Sequence, residues 1–133
     1  MDEDFLHELE KLADKDGRYA KTSYLFLYDA LQYTVTKLGK STLPKDQRHI
    51  GGADLLHGIA EYALDRFGPL ALSVLHHWGV YETEDFGNIV FNLVDAELMS
   101  KTENDRPEDF VDVFDLSEEL DWKRRRAEIK SLA

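Results

Sequence analysis

Residues 83–115, TEDFGNIVFNLVDAELMSKTENDRPEDFVDVFD, constrain the fold more than any other stretch of this chain. Phe86, Ile89, Val90, Leu93 and Val94 recur at three- and four-residue spacing, which puts them on one side of an α-helix. Thr83 stands before them as a candidate cap, and Glu84 and Asp85 suit the positive end of the helix. The periodicity then changes. Residues 98–102 and 110–114 alternate as strands do, the second most clearly, with Phe110, Asp112 and Phe114 on one face and Val111 and Val113 on the other. The link ENDRPED has turn chemistry, so a two-stranded hairpin is expected.

The chain before this stretch reads as helices separated by glycine. Phe5, Leu6, Leu9, Leu12 and Ala13 form a first stripe, closed by Asp16 and Gly17. Tyr24, Leu27, Tyr28, Leu31, Val35 and Leu38 form a second, closed by Gly39. Residues 40–49 have no period and carry Pro44, which reads as a loop. After Gly51 and Gly52 come Leu55, Leu56, Ile59, Ala60, Ala63 and Phe67, and the Gly68-Pro69 pair forces a sharp turn into a short helix with Val74, Leu75 and Trp78 inward. The expected fold is mainly α, about five helices with a small C-terminal β-hairpin. Three successive helices and a hairpin give the C-terminal half a winged-helix-like outline. Residues 116–120 suit a last short turn that Trp122 docks onto the core. Residues 1–121 are expected to form a single helical domain and residues 122–133 a basic C-terminal tail.

The 133 residues suffice for an ordinary core without staples, and cysteine is absent, which excludes disulfides, zinc–thiolate sites and thiol catalysis. The N-terminus alternates acids with apolar residues and has neither the basic start nor the apolar run of a secretory signal. No apolar stretch approaches the roughly 20 residues that span a bilayer. A cytoplasmic protein with no membrane partner is expected.

The net charge of −11 is unevenly spread. Residues 82–121 hold 14 acids against Lys101 and Arg106, whereas the tail carries Lys123, Arg124, Arg125, Arg126 and Lys130 against Glu128. Such an acidic face repels phosphate backbones and favours a basic protein partner, through a field that salt screens over about 8 Å. A merely solubilising face is the alternative. Asp105, Arg106, Asp109 and Asp112 are the proposed partner contacts. The helix that would enter a DNA groove begins Thr83-Glu84-Asp85, the wrong charge for nucleic acid. Only the tail suits phosphates, and it is equally suited to fold back on the protein's own acids.

The stretch from Arg48 to Asp115 resembles a small uncharacterised bacterial family described as restricted to Verrucomicrobia and Planctomycetes. The likeness is detailed at FGP (67–69), TEDFG (83–87) and LMSKTENDRPEDF (98–110), and with ALQYTVTKLG upstream it covers roughly residues 23–120. Relatives often carry a serine at the position of Gly51, where glycine is also an acceptable helix cap. The resemblance implies no established activity, cofactor or site residue.

Candidate chemistry is sparse. His57 and Glu61 stand four apart, a spacing that can clamp a metal, and His76 and His77 lie on the next helix, but no HExxH or comparable pattern supplies a third ligand. Asp85, Asp105, Asp109 and Asp112 supply carboxylates without a spacing that pairs them for acid–base work, and ENDRPED lacks the ligand order of an EF-hand. The serines sit in no nucleophile-elbow pattern and no glycine-rich phosphate loop is present. No cofactor is implied, and a non-enzymatic interaction or regulatory module is expected. Nucleic-acid binding through the tail and an enzyme with a cleft assembled from distant residues are the alternatives. Phe26 and Tyr33 fall off the main stripe of their aromatic-rich helix, as a second buried layer or as anchors for a partner or a homo-oligomer would.

Overall fold

The computed structural model describes residues 3–100 and 106–132. The five expected helices form where the apolar stripes place them: α1 (Glu3–Asp16), α2 (Lys21–Lys37), α3 (Gly52–Phe67), α4 (Ala71–His77) and α5 (Thr83–Asp95). Gly17, Gly39 and Gly79 end α1, α2 and α4 with positive φ, the region in which a Cβ is disfavoured. The loop after α2 contains only a 3-10 turn at Lys45–Gln47. Gly68 has φ +54 and opens a second 3-10 turn, Gly68–Leu70, with Pro69 inside it, so α3 passes into α4 with no free linker.

Helix α2 is the centre of the molecule, because it buries more than one stripe. Tyr24, Leu27 and Ala30 are inaccessible on one side, and Phe26, only 6% exposed, sits on another among Tyr62, Phe67 and Trp78 at ring separations of 5.4, 5.8 and 5.2 Å. Phe26 therefore belongs to a second buried layer, whereas Tyr33 is half-buried against Tyr62 at 5.2 Å. Against α3 the approach is closer than side chains permit: a Cβ at Gly58 would lie 2.8 Å from Thr34 Cβ and 2.9 Å from its Cγ2. Thr34 turns its hydroxyl back to Ala30 O at 2.8 Å, satisfying the one polar atom in that contact.

The expected hairpin and winged-helix outline are not what forms. Among the described residues there is no β-strand. Residues 98–100 follow α5 as a bend, and Lys101 and Thr102 of the first expected strand lie outside the described residues. The second expected strand is a 3-10 turn, Pro107–Phe110, followed by Asp112 at φ +50, which breaks the alternation after Val111. The physical reason is that side chains take the backbone groups that a ladder would have used. Tyr28 donates its hydroxyl to Leu98 O. Buried Thr83 donates its hydroxyl to Phe110 O at 2.6 Å and accepts from Val113 N–H at 3.2 Å. A lone hairpin is marginal in water, whereas these bonds come with a deeply buried phenylalanine. Thr83 thus serves the C-terminal segment and not the helix cap; Glu82 holds the cap position, and the Asp85 carboxylate accepts from Tyr81 N–H at 2.8 Å and Glu82 N–H at 3.1 Å.

Two glycines make room for that segment. Phe110 lies where a Cβ on Gly52 would come to 3.3 Å and one on Gly87 to 2.7 Å, so α3 and α5 each leave a gap that its ring fills. Helix α6 (Leu116–Glu119) and helix α7 (Trp122–Leu132) complete the chain. Leu116 and Leu120 are buried, and Trp122 packs on Gly68, its ring 3.7 Å from where a Cβ would stand.

Candidate functional site

The proposed contact residues do not share a strand face. Asp105 lies outside the described residues. Arg106 is exposed, and its N–H donates to the Asp109 carboxylate at 3.2 Å, so Asp109 caps the 3-10 turn and is half-buried. Asp112 is exposed at its left-handed position. Phe110 and Phe114, expected beside Asp112, point elsewhere: Phe110 into the core, Phe114 onto the His57 ring at 5.1 Å. What survives is an acidic covering segment, residues 106–121, laid over α3 and α5. Glu108, Asp112 and Glu118 are exposed on it and form no ion pair with another described residue. Asp115 caps α6, and bonds from the Ser117 hydroxyl and the Glu118 and Ser117 N–H groups hold its carboxyl below the ordinary 3.8.

The basic tail is helix α7, and it uses part of its charge internally. Arg125 pairs with Asp65 of α3, and Arg124 reaches Glu119 at 3.8 Å. Lys123, Arg126 and Lys130 remain exposed, a smaller phosphate footprint than five cations would offer.

The metal-like spacing does not converge. His57 Nδ1 faces Glu119 at 3.7 Å, while Glu61 accepts from the Tyr33 hydroxyl at 2.7 Å and pairs with Lys37. His76 stacks on Tyr81 at 4.9 Å. Among the described residues no three His, Asp or Glu side chains are gathered as a metal site would need. Burial alone would raise the Glu61 carboxyl, but Lys37 and the Tyr33 hydroxyl outweigh it, so its pKa is lowered overall. A cavity of about 560 Å³ opens beside this group, lined by Asp29, Gln32, Tyr33, Thr36, Lys37, Glu61 and Tyr62.

A second polar cluster went unseen in the sequence. Asp85, Asn88 and Asn92 repeat at three and four residues along α5, a polar stripe that could have been read. Tyr19 donates its hydroxyl to Asp85 Oδ1 at 2.6 Å and accepts from Asn88 Nδ2 at 2.9 Å. Asn92 Nδ2 donates to the Tyr24 hydroxyl at 3.0 Å and to Asp16 Oδ2 at 2.9 Å, and Asp16 also holds Arg18 through two bonds of 2.8 Å. Arg18 above all, with Asn92, depresses the Asp16 carboxyl far below its ordinary value. Every acid here has its partners, so the cluster ties the α1–α2 junction to α5 and offers no free base. A shallow cleft of about 440 Å³ adjoins it, lined by residues 17–21, 76–79 and 81 with Ala13 and Asp14.

The tyrosines in these clusters set an alkaline limit on stability. Burial raises Tyr19, Tyr24 and Tyr33, with Asp85 reinforcing it at Tyr19 and Glu61 at Tyr33, and burial alone pushes Tyr28 up to about 12. Because the folded values lie above the ordinary 10.0, the stabilisation is complete below pH 10 and is lost as pH rises beyond it. Urea midpoints should therefore hold steady from about pH 7 to 9 and fall above about pH 10, with phenolate absorbance rising together with loss of helix. Ionisation of all the tyrosines in the still-folded chain would contradict this.

Comparisons with protein-family models, with curated proteins and with solved structures return no match for this chain.

Proposed function

We propose that the chain is a cytoplasmic, non-enzymatic interaction or regulatory module that meets a basic protein partner with its acidic covering segment, residues 106–121. The supporting observation is a contrast on that segment. Phe110, Leu116 and Leu120 anchor it in the core, while Glu108, Asp112 and Glu118 stand exposed without ion pairs among the described residues. Charges held on an anchored backbone lose little conformational freedom on binding, which favours recognition over mere solubilisation. Arg106, Asp109 and Asp112 belong to the proposed face, and Asp105 adjoins it in sequence. No helix of the described residues is long and apolar enough to cross a membrane.

The test compares the chain with Glu108→Lys/Asp112→Asn/Glu118→Lys, each immobilised and exposed to extract of the native cell. Asparagine keeps residue 112 comfortable at positive φ. Basic proteins held by the unaltered chain at low salt should be retained at least about fivefold less by the variant, by quantitative mass spectrometry. An unchanged retained set sinks the reading.

A further inference from the structure

Helix α7 carries a stripe that the rest of the molecule covers only in part. Trp122, Arg125, Ile129 and Leu132 follow one another at spacings of three, four and three, which aligns them along one side of the helix. The first two are seated: Trp122 on Gly68, Arg125 on Asp65. The second two are not, Ile129 being 49% and Leu132 88% exposed. Beside that stripe Lys123, Arg126 and Lys130 repeat at three and four, all exposed. The last turns of α7 therefore present an apolar edge flanked by cations.

The covering segment has the complementary pattern. Val111 is 43% exposed, in sequence between the exposed Glu108 and Asp112, with Glu118 following on α6. Two α7 helices laid together would oppose like charges, whereas α7 against the acidic segment joins opposite ones. The same pairing already operates within one chain, between Arg124 and Glu119.

We infer that the basic partner of the acidic face is the α7 helix of a second copy of this chain, with Ile129 and Leu132 meeting Val111 inside a border of Lys123, Arg126 and Lys130 against Glu108, Asp112 and Glu118. Exchanged reciprocally, the contact closes a two-fold dimer. The inference rests on the reading of residues 106–121 as a contact face.

Sedimentation of the full chain tests it. The unaltered chain should be dimeric at low salt, its dissociation constant rising about tenfold or more between about 0.05 and 0.5 M salt. Lys123→Glu/Arg126→Glu/Lys130→Glu should be monomeric, and so should Glu108→Lys/Glu118→Lys. Combining the two sets restores opposite charges at positions 108 and 118, with Asp112 alone left like-charged, and should restore much of the dimer. Ile129→Ser/Leu132→Ser should weaken it with the salt dependence retained. All these side chains are exposed, so helix content measured by circular dichroism should not change. A monomer at every concentration and salt overturns the inference, as does a combined variant that stays monomeric. If the chain is monomeric while retention of extract proteins still depends on Glu108 and Glu118, self-association fails and the contact face stands. Loss of both removes the face itself.

Discussion

Gly58→Ala should be among the most damaging single substitutions in the chain. A mid-helix glycine replaced by alanine ordinarily gains about 1 kcal/mol of helix propensity. Here the new methyl would stand 2.8 Å from Thr34 Cβ, with the threonine oxygen nearer still, at the closest approach of α2 and α3. Overpacking of this kind costs about 1–3 kcal/mol or more, and the atoms met, Thr34 Cβ and Cγ2, belong to a short branched side chain that cannot swing clear. A net loss of about 2 kcal/mol is expected at the upper end of that range, seen as a lower urea midpoint with an unchanged slope. Thr34→Ala in the same chain removes the hydroxyl and methyl but leaves Cβ in place, so recovery should be partial. An alanine variant as stable as the parent, or more so, would mean that the two helices do not meet at this point.

Phe110→Ala should detach the acidic segment while leaving the helical body folded. The ring is 4% exposed between Gly52 and Gly87, and removing such a side chain costs about 3–5 kcal/mol. Much of that loss should appear as local opening, because the Tyr19–Asp85 and Asp16–Asn92 bonds hold α5 independently. Amide exchange should accelerate at residues 107–120 and remain slow in α2. Gly87→Ala, which places a methyl 2.7 Å from Phe110 Cβ, should produce the same pattern, and the double variant should cost less than the sum of the two. Unaltered protection at residues 107–120 in Phe110→Ala would show that the ring does not anchor the segment.

These two positions also mark what the sequence makes legible. The helices follow from apolar spacing and from glycines at their ends, because α-helical hydrogen bonds are local and the stripe alone determines which side is buried. Gly58 and Gly87 interrupt no stripe and carry no pattern; their role exists only once a second element arrives. Phe110 to Phe114 misleads for the same reason. The alternation suits a strand, yet Thr83, 27 residues earlier, takes the Phe110 carbonyl and then the Val113 amide, and Asp112 turns the backbone left-handed. A partner that distant leaves no trace in a short window. The charge contrast between residues 82–121 and the tail was legible by counting. That the tail seats Arg125 on Asp65 and leaves Ile129 uncovered was not, since it depends on where α3 passes.

The replacement of strand pairing by side-chain bonds to Thr83 and Tyr28 also bears on how this molecule behaves when crowded. A two-stranded hairpin at the edge of a helical body would have left rows of unpaired amides and carbonyls, a template onto which a foreign strand can add. Here the described part of the segment is broken into single turns: a proline-led 3-10 turn, a left-handed aspartate and one turn of α-helix. None of these is long or straight enough to seed cross-β stacking. Dense carboxylates on the same stretch add mutual repulsion between approaching copies of that segment. Residues 106–121 thus close the core without presenting a strand edge to a neighbour.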